Sequence, residues 1–517
     1  MPEDTPTKKE DGNDFFSPPI QRQKWGDTQI LPHVNWGDLF FDLFYVAAAY
    51  NLSAIIKADP TAKGLLYFIS LFGPMYSTFW LTKMIYDSRF QIPNDFVHRT
   101  LEVLQLCALA TSVLHIRPVE YMSHGADNPE MFLSCLALCI GTFINLLHQC
   151  EIRFVWVVGQ VAAKRSAGRD IKVLVWTFLL QISALVYSAV LFYGNAGHAG
   201  VEYHGPLIIL LVEWLTRPFI LLAVLSTIVV DDSTKISVPM NLNFAIHRYG
   251  EWTMLMLGES ILSLLIVNDV SSKNEREYYF TFYLGILSVT ILQLLYFKSQ
   301  PHGADQHALR RSRISGVLFS TVIQFYSASL ILVGVSYKML LTEYTSAYAD
   351  SSDGDSYGSE HRLLASSAGA TESYTTEERR QRVANLFCFA LAAVFLFLDV
   401  LTIAHSGFNA LTDRCHCKDD GHILMKGIGL VVISRIFIMA FLVTLSQYVT
   451  DPELVVLIGF GTIVLQVAVR FLGRVYFPSK LIPGIEDLEL KAEEIEGDHW
   501  PNTTQPRSIP EEDFDAM

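Results

Sequence analysis

Apolar runs long enough to cross the roughly 30 Å hydrocarbon core of a bilayer recur through this chain, and they decide what it can fold into. They fall near 36–56, 64–86, 97–116, 130–150, 173–193, 206–230, 248–267, 278–297, 314–341, 383–404, 424–447 and 453–473, twelve candidate spans. Inside lipid every backbone N–H and C=O must find its partner within the chain, so such runs become helices. The expected fold class is all-α, a polytopic transmembrane helix bundle of about twelve spans. Composition agrees, because 51% hydrophobic against 17% charged residues leaves too little polar sequence to cover a soluble surface. A net charge of -14 excludes the basic footprint of a nucleic-acid binder. The expected partners are the lipid bilayer and an unknown small solute or ion, with no nucleic acid.

The polar stretches divide the chain. Residues 1–35 carry five prolines and no apolar signal-peptide core, which predicts a disordered polar N-terminal tail. Spans one to nine occupy 36–341. The Ser, Asp and Gly-rich segment 342–382 is expected to be a flexible linker, 383–473 holds spans ten to twelve, and 474–517 is an acidic tail with a short amphipathic stretch at 485–495. Lys164, Arg165, Arg169 and Lys172 fall between the fourth and fifth spans, and Lys298, Arg310, Arg311 and Arg313 between the eighth and ninth. The positive-inside rule puts both groups in the cytosol and, with an even number of spans, both termini as well. Arg379, Arg380 and Arg382 beside the tenth span run against that assignment. No sorting motif says which membrane is occupied.

An internal comparison gives a second division. Trp36-Gly37-Asp38 lies 213 residues before Tyr249-Gly250-Glu251, each at the start of a span, and Glu213-x-x-x-Arg217 lies 253 before Gln466-x-x-x-Arg470. The offset grows by about the length of the 342–382 linker. Two parallel repeats of six spans, with the linker inserted in the second, account for this.

The chemistry must sit on ionisable residues inside the spans, because a charge facing hydrocarbon costs several kcal/mol and such groups normally face a bundle interior or a wet cavity. Asp38 and Asp42 are four apart, one above the other on one helix face. His247, Arg248, Glu251 and Glu259 stand in the seventh span, Glu213 and Arg217 in the sixth, and Arg99 with Glu102 in the third. If the repeat holds, the first and seventh helices face each other, and these groups share one polar cavity that Asp399, Arg435 and Arg470 complete. Acids and imidazoles at membrane depth are the usual components of proton relays. The bland alternatives are dipole complementation and snorkelling at span ends for Asp38, His247, Arg248 and Arg99, and a register-locking ion pair for Glu213 and Arg217. Gly258 is compatible with close helix approach.

Other signals are weak. No catalytic motif of the G-x-S-x-G, Walker A or dinucleotide type is present. His98, His115, His148 and His405 occur without an H-E-x-x-H pattern, and Cys415-His416-Cys417 with His422 lacks the usual zinc spacing. No metal, no cofactor and no catalytic set is read, and the expectation is a protein that is not an enzyme. Cys107, Cys135, Cys139 and Cys388 read as buried small hydrophobes. Asn502-Thr-Thr504 is a glycan sequon that the cytosolic C-terminus would leave unmodified.

L-F-F-D-L-F-Y-V in the first span, Y-D-S-R-F leading to His98-Arg99, H-R-Y-G-E-W-T-M-L-M-L-G-E-S in the seventh and L-Y-F-K ending the eighth resemble the bacterial low temperature requirement A (LtrA) family over roughly residues 33–470. Asp38 stands where that family's pattern has Glu, which keeps the charge. His247 stands where it has Glu before Arg-Phe-Gly, which does not. The resemblance implies a polytopic membrane protein; the family's name describes a growth phenotype and brings no reaction with it. Three classes of function remain: a solute or ion transporter coupled to protons through intramembrane carboxylates, a non-catalytic membrane protein of cold or stress adaptation, and an intramembrane lipid-modifying enzyme.

Overall fold

The computed structural model describes residues 15–22, 36–92, 95–117, 129–154, 161–193, 204–226, 238–266, 275–301, 307–344, 376–406 and 421–476. Most of the linker, the acidic tail beyond 476, the Cys415–Cys417 loop and Asn502 lie outside them. The described residues are mainly helical, with one antiparallel strand pair among them, β1 (Ile20–Gln21) with β2 (Phe90–Gln91).

A helix covers every one of the twelve expected positions. In order they are α1 (Trp36–Ala58), a rod made of α2 (Ala62–Met75), a π-helical turn (Tyr76–Leu81) and α3 (Thr82–Arg89), then α4 (Phe96–Leu114), α5 (Glu130–Phe154), α6 (Val161–Tyr193) and α7 (His204–Ser226). After these come α8 (Leu242–Leu265), α9 (Glu275–Ser299), the single-turn α10 (Ala308–Arg311), α11 (Arg313–Thr342), α12 (Thr376–Ser406), α13 (Gly421–Leu445) and α14 (Pro452–Tyr476). Among the described residues nine are long and apolar enough, by length and composition, to cross a membrane; α4, α8 and α13 are not among the nine.

Side chains set several of the starts. Asp95, Asn241 and Ser312 each accept a backbone N–H three residues on, at His98, Phe244 and Ser315, and so cap α4, α8 and α11. The rod's π turn follows Pro74, whose missing N–H breaks the α ladder. The Thr78 carbonyl within that turn accepts from Asn145 Nδ2 at 2.8 Å, and Thr78 Oγ1 accepts from Gln181 at 2.9 Å. Two neighbouring helices therefore hold the distortion, and the turn fixes the angle at which α3 presents its charged face.

The packing uses one six-helix neighbour pattern twice. In the first half α1 packs on the rod and on α4, α4 on α5, α5 on α6, α6 on α7, and α7 back on the rod. In the second half α8 packs on α9 and α11, α11 on α12, α12 on α13, α13 on α14, and α14 back on α9. The halves meet where α1 and the rod contact α8 and α11, and where α7 contacts α11. At that seam Trp252 sits within 4.7–4.9 Å, ring centre to ring centre, of Tyr45, Tyr76 and Trp80. Each such pair contributes about 0.5–1.5 kcal/mol beyond simple burial, which matters where lipid supplies no hydrophobic drive between helices.

Four details differ from the sequence expectation. Residues 15–22, read as part of a free tail, are pinned over the start of α4: Ser17 N–H donates to Asp95 at 2.7 Å, Arg22 donates to the Asp87 carbonyl at 2.6 Å, and Phe15 stacks on Phe96. The basic residues Lys164 to Lys172 lie in the first turns of α6 rather than in a loop. Cys107 is exposed, whereas Cys135, Cys139 and Cys388 are buried. The close helix approach expected at Gly258 falls elsewhere: a Cβ there would meet nothing within 4 Å, but one on Gly334 of α11 would lie 2.7 Å from the Ser260 Cα of α8.

Candidate functional site

A polar cavity of about 190 Å³ lies in the first half between α1, α3, α4 and α5. Asp38, Lys83, Asp87, His98, Arg99 and His148 are among its walls, with Arg22 of the pinned segment at its edge. Lys83 Nζ is 2.5 Å from Asp87 Oδ2, one turn along α3, and 3.5 Å from Asp38 Oδ1 across the gap. One cation is thus shared between two buried acids. Arg99 is paired with Glu102 at 2.6 Å on the cavity rim, where its side chain is 59% exposed.

A ladder of charges leads from the cavity into the seam. One turn beyond Asp38, Asp42 receives both terminal nitrogens of Arg248 at 2.9 Å each and the Trp80 indole N–H at 3.2 Å. The parallel fork is the strong, orientation-fixing form of this pair. Arg248 also donates to Glu251 at 2.7 Å, and Glu251 lies 3.2 Å from Nδ1 of His247, whose side chain is half exposed. The α1 and α8 helices therefore do face each other through their ionisable residues.

The remaining candidates stand apart, which corrects the expectation of a single shared chamber. Glu259 lies eleven residues beyond Arg248 in α8, about 16 Å along the axis at 1.5 Å per residue. It is buried, hydrogen-bonds Ser263 at 3.5 Å, and has Lys57 and Lys338 as the cations within electrostatic reach. Glu213 is fully buried with Thr177 and Arg217 as polar neighbours, while Arg217 reaches Thr82 Oγ1 of the rod at 2.5 Å. In the second half Asp399 pairs with Arg435, Arg470 lies 3.9 Å from the same carboxylate, and Arg435 donates to Gln466 at 2.7 Å. Arg470 also donates to the Leu295 carbonyl at 3.3 Å. Leu295 is 213 residues after Thr82, so the two repeat-related arginines tie the sixth helix of each half to equivalent points on its second.

The structure adds residues that sequence spacing did not single out. Lys83 and Asp87 sit in what reads as a polar corner at a span end. His98, His148 and Glu151 come together from α4 and α5, with one ligand-capable atom of each within 4.8 Å of the others. Roughly fifty intervening residues hide that grouping from any local motif. Beside it, burial pushes the Asp95 carboxyl up. The backbone N–H groups of His98 and Ser17 and the His98 ring outweigh this, and the group is held below the usual carboxylate range.

Nine helices long and apolar enough to cross a membrane, among the described residues, define a multi-pass integral membrane protein. Residues 33–471 match the profile described as bacterial low temperature requirement A protein (LtrA), and the chain belongs to that family. No curated protein and no solved structure matches it.

Proposed function

We propose that the protein is a transporter of a small solute or ion, coupled to protons through its intramembrane carboxylates. The observation that carries this reading is the cavity of Asp38, Lys83 and Asp87, continued without a gap in charge by Asp42, Arg248 and Glu251. Every acid in the ladder has a cation beside it. A proton or cation arriving at one acid therefore competes with an internal partner, and releasing that partner couples occupancy of the cavity to the α1–α8 seam. The basic first turns of α6 are joined to this end of the bundle by Arg89 and Asp170 at 2.8 Å. Taken with the positive-inside rule, this contact supports a cytosolic side for the cavity and for both termini.

The non-catalytic reading is favoured by the same Asp42–Arg248 fork, which is also a good lock for helix register. Access separates transport from a lock. In a background without native cysteines, Asn145→Cys in the cavity wall is treated with a membrane-impermeant thiol reagent on each face of oriented vesicles. Transport predicts reaction from both faces during turnover. Reaction from one face alone would favour the lock.

A further inference from the structure

We propose that His98, His148 and Glu151 bind a divalent transition-metal ion of the zinc class in the inner wall of the cavity. The site is independent of whether the protein transports anything. A zinc ion with nitrogen and oxygen ligands at about 2.0–2.2 Å places them roughly 3.3–3.5 Å apart. The ligand-capable atoms of these three residues all lie within 4.8 Å of one another, and His98 Nε2 is already 3.0 Å from Glu151 Oε2.

The surroundings are those of a ligand site. Asp95 engages Nδ1 of His98 at 2.8 and 2.9 Å from its two oxygens, which fixes the ring and directs Nε2 at Glu151. A carboxylate behind a histidine in this way is the usual support of a metal-bound imidazole. His148 is buried, stacks parallel to His98 at 6.1 Å, and its Nδ1 has no hydrogen-bond partner; Glu151 Oε1 has none either. Leaving such buried atoms unmatched costs about 1–3 kcal/mol each, so both residues keep polar capacity that the protein's own groups do not use. Lys83 is the cation facing this group, and Asp87 and Asp38 already neutralise it. Both histidines line the cavity, which supplies an entry path and an open coordination position.

Two imidazoles and one carboxylate prefer zinc-like ions to magnesium or calcium. The equivalent corner of the second half holds His307 and His405 with ring centres 4.5 Å apart, and their Nδ1 atoms accept the backbone N–H groups of Leu309 and Ala308. No carboxylate of the described residues joins that pair. It serves as the internal control.

The experiment uses the full chain in detergent with Cys415→Ser and Cys417→Ser, so that the C-x-C loop cannot contribute. The protein is stripped with chelator, and Zn²⁺ alone is titrated by calorimetry, with thermal unfolding measured in parallel. The expected result is one bound equivalent and an upward shift of Tm, both retained in His307→Ala. Affinity should fall at least tenfold in His148→Ala and in the isosteric Glu151→Gln, and about 10–100-fold in Asp95→Asn, which removes only the orienting charge. Absence of binding and of any Tm shift in the starting protein would overturn the site. So would affinity unchanged in both His148→Ala and Glu151→Gln.

Discussion

Arg248 of α8 places its two terminal nitrogens on the two carboxylate oxygens of Asp42 in α1, each at 2.9 Å, with both side chains almost wholly buried. The pair joins the first helix of one half to the first helix of the other, near the start of each. Breaking it from one side strands a charge in a low-dielectric seam, a loss of about 3–5 kcal/mol, whereas removing both partners is far cheaper. Asp42→Leu and Arg248→Leu should each depress stability in mild detergent by that order. The double variant should lose less than either single change. Additive losses in a double-mutant cycle would show that the two residues act separately.

Gly334 and Gly258 should respond in opposite senses to alanine. A Cβ at Gly334 would press on the Ser260 Cα and Oγ at 2.7 and 2.8 Å, forcing α8 and α11 apart at a cost of about 1–3 kcal/mol. A Cβ at Gly258 meets open space, so Gly258→Ala should be neutral or gain up to about 1 kcal/mol from helix propensity. Thermal unfolding of the two variants side by side reads the difference.

Asp95 links pH to the pinned segment 15–22. Its carboxyl is held below the ordinary range in the folded state, so the stability it gives is present above the unfolded value of about 3.9 and is lost as pH falls through the lower folded one. The protection factors of the amides of residues 15–22, taken against the intrinsic exchange rate at each pH, should be high at neutral pH and fall in that acid window. Asp95→Ala, which also removes the α4 cap at a cost of about 1 kcal/mol, should exchange quickly at every pH. Equal protection in both proteins would remove Asp95 from this role.

The helices were legible because lipid demands length and apolarity together, and a helix stands at all twelve positions found that way. The facing of α1 and α8 followed from the 213-residue offset between Asp38 and Glu251. Glu259 shares a span with Arg248, yet eleven residues of helix carry it to another level of the bundle, a separation visible in the sequence by arithmetic alone. The His98, His148 and Glu151 cluster left no trace, because two helices separated by a long connection create it. Lys83 gains its significance only in three dimensions, between Asp87 of its own helix and Asp38 of another.

Transport requires the charged cavity to serve as a path rather than as packing. Proton flux into vesicles reconstituted with the purified protein, followed by a trapped pH-sensitive dye, tests this most directly. The comparison is with Lys83→Met/Asp87→Asn, which removes one cation and one anion from the cavity together. Wild-type flux well above that of empty vesicles, abolished in the folded double variant, is the result predicted. Flux equal to that of empty vesicles, or undiminished by the double substitution, would contradict it.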